Sequence, residues 1–183
     1  GGGGGACAVV ERGRRDTNRG IQIPGTFFKA LQSQDADAVI SQPDESLGGR
    51  PFPVPQGRVL GGGSSVNGMI YMRGQAQDYD DWEQVHGCTG WGYDDVLPIF
   101  KRQERNTRIT NDFHGQAGTL VVADPSAPHP VSAQLIEAAI GVGLPRTDDF
   151  NGAKQEGAGW YQVTASKGRR QSAAQCFLKP EMG

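Results

Sequence analysis

The run Gly57-Arg58-Val59-Leu60-Gly61-Gly62-Gly63-Ser64-Ser65-Val66-Asn67-Gly68-Met69-Ile70-Tyr71 limits this chain more than any other segment. A short apolar approach meets three glycines, two serines and an apolar stretch with one asparagine. That pattern reads as an extended segment turning sharply into a helix, and such a turn suits an anion. Glycine lets the backbone come close to a bound group, Ser64 or Ser65 is placed to cap the helix, and first-turn N–H groups point toward negative charge. A nucleotide pyrophosphate is the expected occupant.

The 183 residues suffice for one ordinary domain or for a large piece of a bigger protein. Basic and acidic residues nearly balance, at 18 and 20, so no strong field argues for a nucleic-acid partner or for an anionic membrane surface. The sequence has no apolar run long enough for a bilayer and no secretory signal pattern, which makes a cytoplasmic location the default. Cys7, Cys88 and Cys176 are far apart, lack CxxC spacing and read as reduced thiols. Asp78, Asp80 and Asp81 lie in one short stretch without the alternating ligands and glycine of a calcium loop, so no metal is expected.

At the start of the chain Gly1, Gly3 and Ala6 satisfy the dinucleotide fingerprint G-x-G-x-x-G/A, and Val9-Val10-Glu11 reads as a short strand ending in an acid for ribose hydroxyls. In that fingerprint the acid follows about 20 residues later, after a helix, and the interval from Ala6 to Glu11 is too short to hold one. The five opening glycines are also the composition of a flexible tether.

Residues 14–56, rich in proline and polar side chains, read as a surface excursion with a short helix at Phe27–Leu31. From Gly92 to Arg105, Val96, Ile99 and Phe100 share one helical face, with Asp94 and Asp95 in the first turn and Lys101 and Arg102 toward the end, as the helix dipole favours. A strand is expected at Gly118–Ala123. A helix is expected over Val131–Val142 with Val131, Leu135, Ala138 and Val142 facing the core, then a strand at Trp160–Thr164. A last helix would be capped by Ser172 and bury Ala173, Ala174, Phe177 and Leu178. Trp82, Trp91 and Trp160 read as packing anchors. His86, His114 and His129 read as ordinary surface histidines in turns, and Arg169 and Arg170 as a solvated turn.

Together these segments resemble the glucose/methanol/choline (GMC) family of FAD-dependent oxidoreductases. Its first signature is matched by Gly57-Arg58, Leu60-Gly61-Gly62, Gly63-Ser64, Val66-Asn67, Tyr71, Gly74 and Asp80. The segments Asp78–Trp82, Gly90–Pro98, His114-Gly115, Asp149–Gly152 and Ser172–Ala174 are similar to the bacterial alcohol and choline dehydrogenase branch. The resemblance implies an FAD-dependent oxidoreductase that turns a primary alcohol, choline-like or another CH–OH donor, into an aldehyde by hydride transfer to flavin N5. It implies FAD contacts at Gly1, Gly3, Glu11, Arg58, Gly62, Gly63, Ser64, Asn67, Gly68, Met69 and Ile70. Relatives with a flavin-linked histidine carry it where this chain has Val66, so the FAD is expected to be non-covalent.

The implied fold is mixed, α/β and α+β. An incomplete parallel-sheet FAD-binding domain is expected over residues 1–82, and part of an antiparallel-sheet substrate domain over 83–183. The family's catalytic histidine lies beyond Gly183, so the chain reads as an N-terminal fragment with no catalytic residue of its own. The alternatives are a non-catalytic remnant that binds flavin poorly and a redox-neutral, hydroxynitrile lyase-like protein. The expected partners are a small-molecule alcohol and an unassigned electron acceptor, and the resemblance leaves room for peripheral association with the inner membrane.

Overall fold

The computed structural model describes residues 8–182 and divides into two compact units, Gly1–Asn67 and Gly68–Gly183. Cys7 and the glycines at 1–5 lie outside the described residues. In the first unit α1 (Arg19–Gln22) and α2 (Phe27–Leu31) are joined by a 3-10 turn at Pro24–Thr26. Asn18 starts α1, its side chain accepting from the Gly20 amide. Proline at the first position of the following turn costs nothing, because that N–H has no partner in a helix start. Ile21, Ala30, Val59 and Val66 are buried together, with Leu31 and Ala36 against them.

The segment read as an excursion carries a sheet of its own. β1 (Ala36–Ile40) pairs antiparallel with β2 (Pro53–Gly57), Ala36 opposite Gly57 and Ile40 opposite Pro53. The Arg58 amide donates to Asp35 O and the Ser41 amide to Phe52 O. Bonded pairs alternate along an antiparallel ladder, so Pro53 and Pro55 fall where their missing N–H faces away from β1. Proline content hid this strand from sequence reasoning. Val9, Val10 and Glu11, expected as a strand, form none: they are exposed irregular chain, and nothing pairs with them among the described residues. Pairing begins at Arg14, which bridges Val59 in parallel.

In the second unit α3 (Ala76–Gln84) is started by a reciprocal capping box, the Asp78 carboxylate accepting from the Gln75 amide at 2.7 Å. Asp80 accepts from the Tyr93 amide at 2.9 Å and so fixes the start of α4 (Tyr93–Gln103). Asp78 and Asp80 are thus spent on helix starts, and Asp81 accepts from the Gln77 side chain within α3 at 2.6 Å. Tyr79 and Trp82 of α3 meet Phe100 and Trp91 edge-on, with ring centroids 5.8 and 5.9 Å apart, although Trp82 and Trp91 keep about half their surface. β3 (Glu104–Asn106) follows α4 directly and pairs in parallel with β4 (Leu120–Val122). The mixed fold therefore combines small parallel and antiparallel sheets with helices.

Three expectations in this unit change. α5 (Pro130–Gly141) forms, started by His129, whose ring accepts from the Val131 amide. Its expected core face is instead exposed, Leu135 at 70% and Val142 at 84%, while Ile136, Ala139 and Ile140 are half-buried. Helical period alone gives a face but not its direction. Trp160–Thr164 runs extended with isolated bridges from Val163 to Ile70 and Ala123 rather than as a regular strand. The last helix is a π turn at Ala174–Leu178. The Ser172 hydroxyl accepts from the Gln175 amide, yet Cys176 is buried and Phe177 exposed, because the wider turn rotates the face.

A methyl group on Gly118 would lie 2.1 Å from Gln103 O and 2.5 Å from the Glu104 amide, whereas one on Gly141 meets open space. Gly118→Ala is expected to destabilise the unit by roughly 2 kcal/mol or more, and Gly141→Ala inside α5 to stabilise it by up to about 1 kcal/mol, both read from urea denaturation midpoints.

Candidate functional site

The glycine signature folds as a single 3-10 turn, Gly62–Ser65, rather than a longer helix. Gly61 and Gly62 hold φ of 92° and 55°, a region that penalises a side chain. The serine hydroxyls turn back on the approach to the turn. Ser64 Oγ donates to Gly61 O at 2.6 Å and Ser65 Oγ to Leu60 O at 2.8 Å, closing the turn on itself. Gly57 is required by a close approach, since a Cβ there would sit 2.2 Å from Gly62 O. By contrast, among the described residues a Cβ at Gly62 or Gly63 would meet nothing within 4 Å. Among those residues the turn is closely packed at Gly57 and open at Gly62 and Gly63.

In the first unit Gly62, Gly63 and Ser64 share this turn, and Asn67 is exposed just after it. The Arg58 guanidinium lies 3.2 Å from the Asp37 carboxylate and donates to Gln34 O. Glu11 is exposed and accepts from the Gly13 amide at 2.6 Å. Gly1 and Gly3 lie outside the described residues. In the second unit Gly68 and Ile70 are exposed and flank a buried Met69, whose φ of 64° is uncommon for a residue with a side chain. Met69 O accepts from the Thr164 amide at 2.8 Å, and the Tyr71 amide donates to Gln162 O at 2.9 Å.

Close to this second segment lies a buried ionic network that the sequence did not announce. Glu104 and Asn106, two apart on β3, point to one side. Glu104 pairs with Arg73 through Oε2 at 2.5 Å and with His114 Nδ1 through Oε1 at 2.8 Å, all three side chains at most 3% exposed. His114 Nε2 meets both Asp149 oxygens at 3.0 and 3.1 Å. An imidazole bonded to a carboxylate at each nitrogen donates from both. Burial disfavours its charge, but the bonds to Asp149 and Glu104 outweigh burial and raise its pKa to about 9. For Asp149 burial acts upward, yet bonds from His114, Asn111 and the Asn151 amide bring it down to about 2. Glu104 is lowered too, its burial outweighed by His114, Asn106 and Arg73.

His114 is therefore a buried imidazolium and not a surface histidine. The Gly115 that follows it is needed, since a Cβ there would overlap Lys101 O at 1.8 Å. Arg170, read as a solvated turn residue, is also buried, at 2% exposure, and burial lowers its pKa to about 10. Arg73 borders a cleft of about 300 Å³, but its N–H groups are directed to Glu104 and Phe113 O rather than into it. Its guanidinium lies 5.1 Å from the Phe100 ring centre. Among the described residues no group of three or more His, Cys, Asp and Glu side chains is arranged for a metal ion, and no helix is long and apolar enough to cross a membrane.

Sequence reasoning missed Glu104, Asn106, His114, Asp149, Asn151 and Gln162. The available signal was the pair of i, i+2 polar motifs, Glu104-x-Asn106 and Asp149-x-Asn151, each placing two polar groups on one side of extended chain.

The family model for GMC oxidoreductase matches residues 1–183. The oxygen-dependent choline dehydrogenase of Brucella ovis is 41% identical over 175 residues, covering 95% of this chain and 32% of that protein. The crystal structure of pyridoxine 4-oxidase from Mesorbium loti superposes with a TM-score of 0.85 at 28% identity over 92% of this chain and 33% of its own. An FAD-dependent oxidoreductase from Chaetomium thermophilum gives 0.79 at 30% identity, over 91% and 30% respectively. The chain spans about a third of the length of these relatives.

The two pKa shifts set a pH window. The stability from a histidine raised to about 9 is complete below its unfolded value near 6.5 and is lost as pH rises through 9. The contribution of Asp149, lowered to about 2, is complete above its unfolded value of 3.8 and is lost as pH falls through 2. Unfolding free energy of the second unit is expected to be highest near pH 4–6.5 and to fall by on the order of 3 kcal/mol by pH 9–10. His114→Gln would flatten the alkaline limb, and Glu104→Ala would cost about 3–5 kcal/mol at pH 7 by leaving two buried cations short of a carboxylate. Urea titrations across pH read all three.

Proposed function

Because the chain belongs to the GMC oxidoreductase family, and the matched region is that family's FAD-binding domain, we propose that it forms part of the FAD site of an oxidoreductase acting on a primary alcohol, choline or a similar CH–OH donor. The observation that carries the reading is the turn at Gly61–Ser65. Its positive φ angles and the open space over Gly62 and Gly63 leave room for a bound group, which fits the cofactor. The residues assigned to the cofactor are Gly1, Gly3, Glu11, Arg58, Gly62, Gly63, Ser64, Asn67, Gly68, Met69 and Ile70. Bound FAD supplies the hydride acceptor for oxidation of an alcohol to an aldehyde.

The chain's own part is binding and orientation. Glu11 is exposed and ionic, suited to ribose hydroxyls. Gly62 and Gly63 admit close approach of a phosphate to the backbone. Asn67 carries both a donor and an acceptor on an exposed side chain. Val66 is buried at 2% exposure and has no nucleophilic atom, which supports non-covalent attachment. The division at residue 82 between cofactor and substrate portions, the electron acceptor and any peripheral membrane association belong to the same proposal. The 41% identity to choline dehydrogenase supports a choline-like substrate.

The test is made on the full protein that carries this chain. A flavin absorbance band that survives gel filtration, bleaching on addition of choline and recovering with an artificial acceptor, is the expected result. A flavin that stays oxidised while substrate is cleaved would indicate a redox-neutral lyase, and absence of the band would sink the cofactor reading. Gly62→Val, which puts a branched side chain at φ 55° and into the open space, is expected to weaken FAD binding at least tenfold.

A further inference from the structure

We propose that the buried network around His114 positions the Gly68–Ile70 backbone for the flavin, with Asn151 as the link between the network and the segment. The inference rests on the cofactor reading above, which places those three residues against FAD. Two chains of hydrogen bonds run from His114 to the backbone just beyond them. Along the first, Asp149 Oδ1 accepts from the Asn151 amide at 3.0 Å, Asn151 Oδ1 accepts from the Arg73 amide at 2.7 Å, and Asn151 Nδ2 donates to Tyr71 O at 3.0 Å. Along the second, Asn106 Nδ2 donates to Glu104 Oε1 at 2.8 Å and to Gln162 Oε1 at 2.6 Å, and Gln162 O accepts from the Tyr71 amide. Tyr71 is thus held at its N–H and at its C=O by different arms of one network.

Such double anchoring answers a specific need. Met69 sits at φ 64° with its side chain 5% exposed, a conformation that persists only where the surroundings over-determine it. The Thr164 amide and hydroxyl fix Met69 O from one side, and the clamp on Tyr71 and Arg73 fixes the chain two residues on. The alternation that results, buried Met69 between exposed Gly68 and Ile70, presents both neighbours outward. Asn151 and His114 are positioning residues here, since neither belongs to the segment assigned to the flavin. The groups facing His114 are Glu104 from β3 and Asp149 from the loop after α5, with Asp94, Lys101 and Arg102 of α4 bordering the adjoining cleft.

The experiment compares wild type with Asn151→Ala in the full flavoprotein. Amide hydrogen exchange is expected to quicken at least tenfold at Tyr71, Arg73 and Thr164 while the amides of α4 stay within about threefold. FAD affinity is expected to fall by a similar factor, with a shifted visible flavin band in the fraction that remains loaded. Asn151→Asp keeps the acceptor for Arg73 but turns a buried carboxylate oxygen toward Tyr71 O, so its effects should be at least as large as those of Asn151→Ala. Exchange that quickens equally in α4 would reduce the network to general stability and overturn the proposal. Unchanged FAD affinity in Asn151→Ala, beside a wild type that binds, would overturn it as well while leaving the cofactor reading intact. A wild type that binds no FAD would remove the cofactor reading and this inference with it.

Discussion

The carboxylate of Glu104 stands fully buried between two cations, Arg73 on one oxygen and the His114 imidazolium on the other, and the second unit is organised around that arrangement. A buried charge without compensation costs several kcal/mol, so neither cation could occupy its place alone. Asp149 supplies the second negative charge, leaving the four groups neutral in sum. Uncharged partners complete the set: Asn106 donates to Glu104 and the Asn151 amide to Asp149, while Gln162, accepting from Asn106, and Asn151 carry the order outward into backbone. The network joins segments far apart in sequence, which an apolar contact of the same size would do with less precision of register.

The first unit solves a smaller problem by simpler means. Its buried apolar residues are few, and the glycine turn is held chiefly by backbone geometry and by serine hydroxyls folded back onto carbonyls. Asp35 contributes from the side, accepting from Asn18 and Ser33 while its own carbonyl starts the ladder into β2.

Local patterns were legible where chemistry and geometry are neighbours in sequence. α4 followed from its apolar spacing and charged ends, β4 from its valines, and the glycine signature from residue types that few other conformations require. The buried network was illegible for the opposite reason. His114 beside a glycine looks like any turn histidine until Asp149, thirty-five positions away, is known to lie 3.0 Å from it. Arg170 was misread in the same way, since a Lys-Gly turn with both residues at positive φ gives no hint that the next arginine but one points inward. The face of α5 failed because period fixes which residues align, whereas only tertiary partners decide which side they seek. The residues proposed for the cofactor stand between these cases: the signature named them, and spacing gave no hint that the chain divides into its two units at Asn67 and Gly68.

The prolines of β2 have a meaning beyond the conformation they impose. Pro53 and Pro55 face away from β1 along the outer side of a two-stranded sheet, where an ordinary residue would offer an N–H to any passing strand. With two successive donors missing, another chain cannot add itself in register along that side. The sheet is closed to growth by chemistry rather than by cover, so a small and largely exposed hairpin can sit beside the glycine turn without becoming a template for association.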